Sequence, residues 1–112
     1  MKKGIAGLVG SKFTVVFFGV RPDVIDACLP IARDLRIARA HAKHLHAACT
    51  VLDAFPGAML VVSTDIRHGE RDVIERHAER AKASVLWVGA NDDVDHVVTS
   101  VASWATAARG TR

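Results

Sequence analysis

The sequence predicts an α/β domain built on a doubly wound, mostly parallel sheet of about four β-α units. Three observations lead there. The runs "FTVVFFG", "AMLVVST" and "SVLWVGA" are short, continuously apolar and rich in β-branched or aromatic residues, as strands covered on both faces are. Stretches with apolar residues at helical spacing separate them. Half of the 112 residues are hydrophobic and 24% are charged, a globular balance, and no linker or repeat interrupts it. Strands alternating with helices imply right-handed crossovers that put helices on both faces of the sheet.

Residues 1–12 read as an N-terminal arm. The two lysines at its start, Lys2 and Lys3, and the short apolar run after them imitate a secretory signal, but the run is brief, broken by glycine and leads into a strand. "FTVVFFG" (13–19) is that first strand. "RPDVIDACLPIARDL" starts a helix at Pro22 or Asp23 and turns Val24, Ile25, Cys28, Leu29 and Ala32 to one side. Pro30 removes a backbone bond, which implies a bend near Ala27 or a helix in two pieces. "RIARAH" (36–41) alternates as a short strand near an edge. "KHLHAACTVLDAFPG" (43–57) is a helix with Leu45, Ala48, Cys49, Leu52 and Phe55 inward, stopped at Pro-Gly.

"AMLVVST" (58–64) is a buried strand. The helix at 70–83 points Ile74, Ala78 and Ala81 inward and its arginines and glutamates outward. "SVLWVGA" (84–90) is the next buried strand, with Trp87 expected in the core. "DDVDHVVTSVASWATAA" (92–108) closes the domain as a helix started by Asp92 or Asp93. The domain therefore spans 13–108, with a tail at 109–112. The first and third strands are the most apolar and belong in the middle, which gives the flavodoxin-like strand order 2-1-3-4.

Charge and cysteine usage exclude several classes. The net charge is only +3, and basic residues are interleaved with acids, so nucleic-acid binding by this domain is not expected. No run of about 18 apolar residues exists to span a membrane. Cys28 and Cys49 lie among apolar helical neighbours without CxxC spacing, the pattern of buried free thiols in a reducing cytoplasm.

Over residues 13–104 the chain resembles the receiver domain of bacterial response regulators. "VVFFGVRPDVIDACLPIA" is similar to the family's first strand, acidic loop and first helix. "HLHAACTVLDAFPGAMLVVSTDIR" is similar to its second helix and third strand, and "SVLWVGANDDVDHVVTSVA" to its fourth strand and following helix. In that family two acids after the first strand hold magnesium, and an aspartate ending the third strand accepts a phosphoryl group. A Thr or Ser ending the fourth strand and a lysine ending the fifth sense it. Such chemistry needs a nucleophilic carboxylate and a cation to neutralise developing charge.

Carried over by position, the resemblance implies a degenerate, receiver-like site. The acidic pair falls on Gly19 and Val20, with Arg21 next, and none of these supplies the oxygen ligands magnesium needs. The acceptor falls on Ser63 or Thr64, with Asp65 one or two places late, as in the phrase "STDIR". The strand-four hydroxyl falls on Gly89, and no fifth strand with its lysine is found. Asp65 is expected to be a turn residue or a cap for the helix after Gly69 rather than a phosphoacceptor.

Other constellations are weaker. His41, His44, His46 and His68 lack a companion cysteine or carboxylate, so no metal is expected and they read as solvated or capping residues. Ser63, His68 and Asp65 would compose a hydrolytic triad, but no nucleophile elbow surrounds the serine. No glycine-rich phosphate loop is present. Arg21, Ser63, Thr64, Asp65 and Asn91 nevertheless share the carboxyl edge of the sheet, where a small anion or nucleotide would bind.

Val97, Val101 and Trp104 form a helical stripe that a fifth β-α unit would help to cover. Without that unit the fourth strand is an open edge, to be covered by the N-terminal arm or by another chain. The expectation is a non-catalytic signalling module without cofactor, in a two-component setting, that acts by protein contact or homodimerisation through the fourth strand and last helix. The alternative is an anion- or nucleotide-sensing domain.

Overall fold

The computed structural model describes residues 13–110. Its strands are β1 (Thr14–Phe18), β2 (Ala38–Ala42), β3 (Met59–Ser63) and β4 (Ser84–Val88). Its helices are α1 (Pro22–Asp34), α2 (Leu45–Ala54), α3 (His68–Ala81) and α4 (Val94–Gly110). The four strands form one parallel sheet in the order β2-β1-β3-β4, as the apolar character of the first and third strands predicts. The expected arm at 1–12 lies outside the described residues.

β1 and β3 are buried along their whole length, because each has a strand on both sides and helices on both faces. Alternate residues feed two cores. Val15, Phe17, Met59 and Val61 face α1 and α4, and with Val24, Cys28, Val97 and Val101 they form one cluster. Val16, Leu60 and Val62 face α2 and α3, and with Leu52 and Ile74 they form the other. Side chains such as Phe17 and Leu60 each contribute about 1.5–3 kcal/mol of burial.

Several local expectations are resolved or corrected. α1 begins at Pro22 in its first turn and runs in one piece through Pro30; that residue is exposed, so the carbonyl its missing N–H leaves unbonded lies on the solvent side. α2 is capped by His44, whose Nδ1 accepts from the Ala47 amide at 3.3 Å, a capping role of the kind expected for these histidines. α3 starts at His68 rather than Glu70, and the Glu70 carboxylate accepts from the Arg67 amide at 3.4 Å. Asp65 therefore does not cap it. α4 begins after Asp93, whose Oδ1 accepts from the Asp95 amide at 3.2 Å, and runs to Gly110, past the expected end at Ala108.

The stripe on α4 is not an open surface. Val97 and Val101 are fully buried where α4 packs on α1 and the sheet, so neither is available to a partner. Trp104 is half-buried, its ring edge-on to Phe13 with centroids 6.1 Å apart. Trp87 is half-buried rather than in the core, because among the described residues β4 has a neighbour on one side only; the Arg71 guanidinium lies 4.4 Å from its ring centre. Cys28 and Cys49 are free and buried, and burial pushes both thiols up from their ordinary pKa, with the Asp53 charge adding to the shift at Cys49.

Candidate functional site

In a doubly wound sheet, the crevice for a ligand opens at the carboxyl edge, between strands whose connections leave in opposite directions. Here that point lies between β1 and β3. The loop after β1 turns at Gly19, whose φ of 74° is the left-handed conformation that glycine adopts freely. The loop after β3 turns at Asp65, whose amide donates to the Ser63 hydroxyl at 3.0 Å. This is the turn role expected of Asp65.

A cleft of about 170 Å³ occupies the crevice, lined by Gly19, Val20, Arg21, Ser63, Asp65 and Gly89 with Val88 and Ala90. The fold thus gathers Arg21, Ser63 and Asp65 as expected. It does not gather Thr64 or Asn91, which are exposed outside the cleft; the Thr64 amide instead continues the sheet by donating to the Val88 carbonyl at 3.0 Å.

Arg21 does not present a free guanidinium to the crevice. It donates to the Ala90 carbonyl, to the Asp92 carbonyl at 3.3 Å and to the Asp23 carboxylate at 3.1 Å. The side chain therefore reaches from the end of β1 past β3 to the loop after β4. That loop is closed from its own side too, because the Asp92 carboxylate accepts from the Gly89 amide at 2.8 Å. Asp92 thus serves the turn, and Asp93 the helix start.

The other constellations stay apart from this cleft. His68 is exposed at the first turn of α3, and the Ser63 hydroxyl accepts from the Asp65 amide, so no triad geometry joins them. His44 and His46 stack with ring centres 6.5 Å apart, and His41 is exposed on β2. Among the described residues no group of three His, Cys, Asp or Glu side chains is placed to hold a metal ion. No helix among them is long and apolar enough to cross a membrane.

The sequence reading missed the Arg21 bridge and the Asp92 closure. The one available signal was the acid pair in "NDD" after a glycine, whose Asp92 and Asp93 were read as alternative helix starts. The acceptors on the Ala90 and Asp92 backbone have no residue-type signature at all.

No protein-family model matches the chain, and no curated protein does. Three solved structures similar to it are designed proteins of the Rossmann type. A de novo designed Rossmann 2x2 fold protein solved by NMR in solution is 14% identical, with a TM-score of 0.65, 86% of this chain covered and 89% of that one. A de novo designed Rossmann fold protein is 10% identical, with a TM-score of 0.63 and coverage of 83% and 96%. A further design of that fold is 11% identical, with a TM-score of 0.53 and coverage of 84% and 98%. At these identities the likeness establishes the α/β Rossmann-like fold, and the strand order gives it the flavodoxin-like arrangement. None of these structures is titled as an enzyme.

Proposed function

We propose that this chain is a non-catalytic, receiver-like signalling module that acts by protein-protein contact and takes no phosphoryl group. One observation carries the reading: Arg21 lies across the crevice where phosphoryl chemistry would need metal-bound carboxylates, and its guanidinium is engaged by two carbonyls and Asp23. Gly19 and Val20 line the same cleft and offer no oxygen side chain. The Arg21 guanidinium itself places a positive charge there, so magnesium would meet repulsion as well as a lack of ligands. Incubation with acetyl phosphate and magnesium tests the reading. The expected result is no acid-labile phosphate on Asp65; stoichiometric labelling would overturn it.

A second reading, the anion- or nucleotide-sensing domain, is favoured by the convergence of Arg21, Ser63 and Asp65 on one cleft. Its cleft of about 170 Å³ is below the roughly 300 Å³ at which small-molecule sites begin. An anion there would have to replace the Ala90 and Asp92 carbonyls on Arg21 and accept the nearby Asp65 charge. A thermal-shift series with inorganic phosphate and with nucleotides separates the readings, because a ligand bound by the native state alone raises its stability.

A further inference from the structure

We infer that β4 is the seam of a symmetric homodimer, in which two copies pair this strand antiparallel and merge their sheets. The inference rests on the reading of the chain as a contact module and names its partner as a second copy. Among the described residues β4 pairs only with β3, on one side. Two bonds fix which of its backbone groups face the other way. The Ser84 amide donates to Ala58 and the Val88 carbonyl accepts from Thr64, so residues 84, 86 and 88 bond toward β3. In a parallel ladder the alternate residues point both backbone groups to the opposite side, and here those are Val85 and Trp87.

The other edge of the sheet is built differently at the equivalent positions. The Ala38 amide donates to Phe13, so Ala38, Ala40 and Ala42 bond toward β1, and the outward residues of β2 are Arg39 and His41. Both are exposed, and a charged or polar side chain beside an open backbone group is a common guard against strand addition. β4, "SVLWV", has no charge, proline or glycine, and Val85, Leu86 and Trp87 are all half-buried.

The seam is self-complementary under a two-fold axis at Leu86, which is why a second copy fits better than an arbitrary strand. Val85 then lies opposite Trp87 of the second copy, and the pair exchanges both backbone bonds; Trp87 and the other Val85 do the same. Both side chains belong to the α2/α3 face, which makes a β-branched residue meet an aromatic one on each side of the axis. Leu86 meets its own copy on the α1/α4 face at a close, non-hydrogen-bonded position. Like faces continue across the axis, and none of the β4 side chains that meet there is charged. A seam one strand long belongs with small, concentration-dependent interfaces.

Sedimentation velocity of the full chain across a micromolar series tests this. The expected result is an apparent mass rising about twofold with concentration, as a closed two-fold dimer requires. Val85→Pro removes an outward N–H without breaking the ladder to β3, and Leu86→Lys sets like charges across the axis; both are expected to stay monomeric with an unchanged circular dichroism spectrum. Hydrogen exchange on the unaltered chain is a second measure: protection at Val85 and Trp87 should grow with concentration while Arg39 and His41 exchange fast throughout.

A monomer at every concentration overturns the proposal. So does a dimer that survives Leu86→Lys. A monomer whose Val85 and Trp87 amides are protected would show the edge covered by the chain's own residues, which overturns it as well. None of these outcomes touches the non-catalytic reading, which only phosphate on Asp65 would sink.

Discussion

β2 and β4 bound the same sheet, have the same length and run in the same direction, yet they meet solvent on different terms. In both, two residues turn their backbone groups outward. On β2 these are Arg39 and His41, with small alanines at the alternate positions; on β4 they are Val85 and Trp87. Guarding an edge costs little packing, because the outward residues of an edge strand are partly exposed anyway. Among the described residues β2 is guarded and β4 is not, so the proposed association is confined to one side of the molecule, and one-sided association closes as a dimer instead of growing.

The largest effect should follow from removing this asymmetry. Replacing both guards, Arg39→Val with His41→Val, leaves two apolar edges per molecule, and pairing can then continue from either side. Light scattering should show mass growing well beyond a dimer, with loss of soluble protein on standing. A double variant that associates no more than the unaltered chain would break the comparison, because Arg39 and His41 would not be what protects β2.

A smaller effect is expected where β4 is tied back to the rest of the fold. Arg21→Ala releases the Ala90 and Asp92 carbonyls, and urea unfolding should register a loss of about 1–2 kcal/mol, moderated because the side chain is partly exposed. Arg21→Lys should recover less than half of it, since one ammonium cannot reach the Ala90 and Asp92 carbonyls and the Asp23 carboxylate together. Association should be unaltered in both, because the clasp lies at the end of β4 and not along its edge. An Arg21→Ala chain that loses association would mean that the loop, not the strand, makes the contact.

The two edges also mark how far the sequence can be read. The strands, their order, the burial of Cys28 and Cys49 and the edge position of β2 all follow from local patterns of period two or period 3.6. Periodicity shows that Val97 and Val101 share an apolar face, but not that α1 already covers it, so the expected α4 interface was lost to the protein's own core. Arg21 illustrates the same limit. Two of its three acceptors are 69 and 71 residues away and are carbonyls, which every residue has, so only the folded chain brings them to the guanidinium. What was legible at the candidate site was its composition: the missing carboxylates at Gly19 and Val20, and the crevice that gathers Ser63 and Asp65.

The smallest effect separates what covers the face of β4 from what joins its edge. Arg71 stacks on the Trp87 ring at 4.4 Å and pairs with Glu75 at 3.8 Å, and the two charged side chains are exposed. Arg71→Ala should therefore cost only about 0.5–1 kcal/mol, most of it from the cation-ring contact. In a Trp104→Phe background, which leaves Trp87 as the only indole, its emission should shift to longer wavelength as water reaches the uncovered ring. The mass in sedimentation should not change, because Arg71 stands over the ring, whereas the Val85 and Trp87 backbone groups lie in the plane of the sheet. If Arg71→Ala instead abolished the dimer, the seam would depend on side chains above the sheet, and the backbone phase that distinguishes β4 from β2 would no longer explain it.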